Sequence, residues 1–251
     1  MRTVEEHIAT LRDEADRLAS AASAAGVGAP VPTCPGWTVR NLLAHTGGVH
    51  AWATTIIAGA LAERPDPGDL DDNVSGIADG DLVAWYSAQA HALADTIAEA
   101  PDDLECLAFL PAPSSRAFWA RRQAHECAIH RADADSAAGR PTTYAAQQAS
   151  DGIAEILHGF AARKRTRPAF DPARSLQLRT DEGDAWHLTL TADTVITRDE
   201  AAAADVTVGG AASDLFLLLW NRLDLASPAV RVDGDPAVVA LWRDNVAVRW
   251  G

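Results

Sequence analysis

Apolar residues recur at spacings of three and four through Val4, Ile8, Leu11, Ala15, Leu18 and Ala22, which predicts an amphipathic helix closed near Gly26. The following stretch from Gly28 to Gly36 ends in Val31-Pro-Thr-Cys-Pro-Gly-Trp37, too dense in Pro and Gly for regular structure. Thr38 is placed to cap a second helix through Leu43, Val49, Trp52, Ile56 and Ala60. On it His45 shares the apolar face with Val49, Trp52 and Ile56, whereas His50 falls off that face and reads as a surface or packing residue. A third helix runs from about Asp81 through Tyr86, Leu93 and Ile97, and Ser114 or Ser115 can cap a fourth. One more helical stretch around Ile153, Ile156, Leu157 and Phe160 completes an all-helical part, enough for a bundle.

Past the basic run Arg163-Lys-Arg-Thr-Arg167 the period shortens to two. Leu176 and Leu178, then Trp186, Leu188 and Leu190, then Val195 and Ile196, then Val206 and Val208 read as short strands. Gly209-Gly210 ends the last of these, and Ala212 to Asn221 is a strongly apolar helix. Val230-Arg-Val-Asp-Gly234 reads as strand and turn before a final helix from Pro236 to Trp242. The pattern thus predicts a helical domain over 1–165 and a smaller α+β domain over 166–251.

Within the fourth helix, Glu126 and His130 sit four apart and therefore on one face, with Arg122 a turn before and Asp133 a turn after. His125-Glu126 opens like the zincin motif H-E-x-x-H. That motif needs its two histidines four apart on one face, and His125 and His130 are five apart, so this reading fails. What remains is a Glu and His pair suited to zinc or a similar divalent ion but lacking a third ligand. Taken alone the spacing is a weak signal for metal, and an exposed i,i+4 pair is the more ordinary reading.

The composition narrows the partners. The 251 residues carry a formal charge of −14 at 48% hydrophobic content, the profile of a globular protein whose acidic surface offers no counter-charge to nucleic acid or an anionic membrane. Three cysteines, Cys34, Cys106 and Cys127, are too few and scattered for a disulfide framework. The charged N-terminus lacks the apolar core of a signal peptide, and the expected location is the cytoplasm. The basic run reads as a helix end followed by a linker. Asp66, Asp69, Asp71 and Asp72 crowd an acidic loop without calcium-loop spacing.

Val31-Pro-Thr-Cys-Pro-Gly-Trp-Thr-Val-Arg-Asn-Leu-Leu-Ala-His45 resembles the signature leading into the metal-binding helix of the mycothiol-dependent maleylpyruvate isomerase family. His125-Glu-Cys-Ala-Ile-His-Arg131 is similar to that family's second metal segment. Ala204-Asp-Val-Thr-Val-Gly-Gly210, Leu217-Leu-Leu-Trp-Asn-Arg222 and Val232-Asp-Gly-Asp235 resemble its smaller domain. The resemblance spans nearly the whole chain. It implies a DinB-like four-helix bundle followed by a sterol-carrier-protein-like α+β domain. By position it puts the metal ligands on His45, Glu126 and His130 and the functionally important arginine on Arg222.

The implied cofactors are a divalent metal, zinc by preference, and mycothiol as thiol cosubstrate. Coordination would ionise the thiol, whose thiolate adds to a conjugated double bond, permits rotation and leaves, or is transferred to a small electrophile. Arg222 would hold a substrate carboxylate. The expected partners are mycothiol and a small-molecule substrate. Asn41, Thr46 and Ala132 depart from the family's usual Asp, Leu and Trp without touching a ligand position. A catalytic part for Cys34 stands beside a packing one. The alternative is a non-catalytic, metal-containing protein that binds an apolar small molecule in its C-terminal domain.

Overall fold

The computed structural model describes residues 2–65, 74–163 and 170–246, which form two compact units, Met1–Thr142 and Thr143–Gly251. The acidic residues Asp66, Asp69, Asp71 and Asp72, and the basic run after Arg163, lie outside the described residues.

The first unit consists of α1 (Val4–Ala25), α2 (Val39–Ala58), α3 (Leu82–Glu99) and α4 (Ser115–Ala137). Helix α1 packs on α4 and α3, and α2 packs on α3 and α4, which makes a four-helix bundle. Local sequence sets the helix ends. Thr3 and Glu6 form a capping box at α1, and Thr38 and Asn41 form one at α2. Ser114 accepts from the Ala117 amide at the start of α4. Asn41, one of the departures from the family pattern, is therefore a capping residue.

Two features fix how α2 and α4 sit in the bundle. A Cβ at Gly47 would overlap the Trp85 ring, so α2 meets α3 at a distance only glycine permits. Apart from Arg121, helix α4 is buried from Phe118 to Asp135, charged residues included. Its charges are paired: Arg131 donates across the bundle to Glu14 of α1 at 2.5 Å and along its own helix to Asp135 at 2.8 Å. A sequence rich in Arg, His, Glu and Asp can thus lie in the core because its charged residues are met by partners there.

The second unit opens with α5 (Ala146–Ala154), which continues as a π-helical segment over Glu155–Phe160. The sequence assigns this stretch to the helical domain. In the structure α5 packs on α6 (Ala212–Leu219), where the Phe216 ring occupies the space a Cβ of Gly152 would fill. The boundary accordingly falls at 142/143 instead of 165. Periodicity could not have placed it, because it shows that a helix has an apolar face but not which face it meets.

The five-stranded sheet has the order β3-β2-β1-β4-β5, from Arg174–Thr180 (β1), Ala185–Leu190 (β2), Val195–Arg198 (β3), Val206–Gly210 (β4) and Arg231–Gly234 (β5). All pairings are antiparallel except β1 with β4. Register stacks Leu176 on Leu188 and Val206, and Leu178 on Trp186 and Val208, and all six are buried, as the alternation predicts. Ile196 on β3 is 48% exposed, as an edge strand allows. Helix α7 (Pro236–Asn245) is capped by Asp235 and packs on β1 and β4.

Candidate metal centre

The turn before α2 is built by its own backbone. Val31 donates to the Trp37 carbonyl at 2.9 Å, Cys34 to Val31 at 3.0 Å and Trp37 to Cys34 at 3.0 Å, with Gly36 at φ +87° where a side chain would be strained. This ordering sets the Trp37 ring 5.1 Å from the His45 ring and stacks it over His130 at 6.3 Å, 17° from parallel.

Behind Trp37, His45 of α2 meets Glu126 and His130 of α4. Glu126 Oε1 lies 3.3 Å from His130 Nε2 and 3.9 Å from His45 Nε2, and one ligand atom from each residue falls within 4.8 Å of the other two. The Glu126 and His130 side chains are 3% and 8% exposed, which excludes the exposed i,i+4 pair. Glu126 Oε2 accepts from Arg122 at 3.1 Å, whereas the buried Oε1 accepts no hydrogen bond. A buried carboxylate oxygen left without a donor, facing two imidazole nitrogens, is a donor set that a divalent cation satisfies.

The electrostatics are shared among the three. Burial alone would raise the Glu126 carboxyl, but His130, His45 and Arg122 outweigh it and hold the group well below the usual carboxylate range. Burial would lower His130, yet Asp133 and Glu126 on either side of the ring raise it to about 9. Asp133 Oδ2 lies 2.9 Å from His130 Nδ1, and its Oδ1 accepts from the Thr33 hydroxyl at 2.6 Å.

Other sequence candidates fall elsewhere. His50, expected at the surface or in packing, is fully buried, with Nδ1 2.9 Å from Gln123 Oε1. Burial lowers it to about 4, so it is a neutral core histidine. Cys127 is buried beside the Tyr86 hydroxyl, and burial pushes its thiol up, away from a reactive thiolate. Thr46 donates to the Leu42 carbonyl and Ala132 is buried, so neither departure supplies a polar group to the centre. Arg222 lies in the second unit just beyond α6, where its guanidinium donates to the Trp220 carbonyl at 2.7 Å. The sequence reading singles out neither Thr33 nor Trp37, although both lie inside the turn motif. Their packing against α4 is a tertiary fact without a local signal.

The model of the mycothiol maleylpyruvate isomerase N-terminal domain matches residues 8–135, and the model of that family's C-terminal domain matches residues 147–241. The chain belongs to this family. Among solved structures it is similar to the mycothiol-dependent maleylpyruvate isomerase, with a TM-score of 0.65 at 16% identity over 92% of this chain and 93% of that one. A histidine-to-alanine mutant of that isomerase matches with the same TM-score, identity and coverage. At this identity the likeness is one of fold. No curated protein sequence matches. Among the described residues no helix is long and apolar enough to cross a membrane.

Proposed function

We propose that the chain is a mycothiol-dependent isomerase that holds a divalent cation, zinc by preference, on His45, Glu126 and His130 and acts on a maleylpyruvate-like substrate. The observation carrying the metal reading is the buried Oε1 of Glu126, which faces two imidazoles and accepts no hydrogen bond. Three protein ligands, one fewer than the four of a structural zinc, describe a catalytic centre. A bound cation supplies the positive charge that ionises a thiol near neutral pH.

The protein's own residues do the rest. Arg122, buried and bonded to Oε2, fixes the Glu126 carboxylate so that Oε1 faces the imidazoles. Trp37 lies against His45 and His130 as an apolar wall that limits water. Arg222 is the candidate to hold a substrate carboxylate, a task its planar fork of donors suits. The same site would serve transfer of the thiol to a small electrophile, and the substrate decides between the two.

The test is metal content and turnover together. Purified protein is expected to carry about one zinc per chain and to isomerise maleylpyruvate only when mycothiol is added. His45→Ala should lose both while its circular dichroism is unchanged. Turnover undiminished after His45→Ala, or equal with and without mycothiol, would overturn the proposal.

A further inference from the structure

We infer that Asp133, clamped by Thr33, is the positioning residue that fixes the ring of His130 and makes Nε2 its metal-facing nitrogen. The inference rests on the metal reading above and extends it to residues with no ligand position.

The geometry is complete on both sides of the imidazole. Nδ1 meets Asp133 Oδ2 at 2.9 Å, and Nε2 faces Glu126 Oε1 at 3.3 Å. A carboxylate at Nδ1 is an acceptor only, so the ring proton resides on Nδ1 and the Nε2 lone pair is left for the cation. The carboxylate itself cannot turn away. It is fully buried, and its second oxygen accepts from Thr33 Oγ1 at 2.6 Å. An imidazole backed by a fixed carboxylate is both oriented and made a stronger donor, the arrangement recurrent behind metal-bound histidines.

Thr33 adds something an ordinary buried ion pair lacks. It belongs to the Pro- and Gly-rich turn whose other end carries Trp37, and that ring is stacked over His130. One turn therefore contacts the same histidine twice, through the Thr33 hydroxyl by way of Asp133 and through the Trp37 ring. In this account the residue pattern of the turn serves the distant ligand of α4 as well as the entry into α2.

The experiment compares unmodified protein with Asp133→Asn, Thr33→Val and Thr33→Ser by zinc competition against a chromophoric chelator. Proton spectra of the cobalt(II)-loaded forms are recorded in parallel. Asp133→Asn is expected to weaken zinc binding roughly 10- to 100-fold. Thr33→Val should weaken it by a smaller factor, and Thr33→Ser should restore it. In the cobalt spectra the unmodified protein should show a slowly exchanging imidazole N–H resonance that Asp133→Asn broadens or removes, a signature that a purely structural role would not move. Thr33 is in a partly exposed turn, so its two variants carry the test should Asp133→Asn fail to fold. Equal zinc affinity in all four proteins would overturn the inference and leave the three-ligand centre standing. Absence of zinc binding by unmodified protein would overturn both.

Discussion

At the level of single residues, His50 and His130 are pushed in opposite directions, the first down by burial and the second up by its carboxylate neighbours. His50 is neutral and buried, with a folded pKa lowered to about 4 by burial, against about 6.5 when unfolded. Between those values the unfolded chain binds the extra proton, so stability is intact above about pH 6.5 and falls as the pH drops toward 4. The full loss is about 3 kcal/mol. Urea unfolding of metal-free protein at a series of pH values should show this slope, and His50→Gln should flatten it. A second residue-scale expectation concerns Glu14, whose removal leaves Arg131 buried with one carboxylate fewer. Glu14→Ala should destabilise by about 3 kcal/mol in the same assay. Periodicity marks His45, Glu126 and His130 as worth attention, but by spacing alone the last two read as a surface pair before a metal site. For His50 the helical wheel leaves a surface and a packing place open because it assumes one apolar face; α2 is gripped by α3 and α4 together, and His50 is packed between them.

At the scale of elements, the caps and alternation were legible because they are local. Thr38, Ser114 and the stacked Leu176, Leu188 and Val206 all stand where residue type and spacing put them. Thr38→Ala should cost about 1 kcal/mol, read from thermal unfolding. Because the cap fixes the start of the helix carrying His45, it should also weaken zinc binding. What local rules could not give is the partner of each face: α5 meets α6, and α4 buries its charges instead of exposing them. A helix as polar as α4 looks solvated until Glu14, Thr33 and His50 are seen to answer its Arg131, Asp133 and Gln123 from three other places in the chain.

For the molecule as a whole, a site assembled from two helices far apart in sequence exists only in the folded state. A cation that binds it therefore stabilises the fold by mass action, about 2.7 kcal/mol at a free concentration one hundred times the dissociation constant. Added zinc should raise the unfolding midpoint of unmodified protein and leave that of His45→Ala where it was. An equal shift in both would point to binding elsewhere. The formal charge of −14 adds a general attraction for cations, which salt screens, whereas the shift at the site should survive moderate salt.

Gly47, two residues from His45, carries a consequence for how this protein tolerates change. Any side chain there must displace the Trp85 ring, and the helix carrying the histidine would move with it. In a saturation library spanning α2, scored by retention of zinc, the least permissive site outside the ligand itself should be the position that bears no side chain at all.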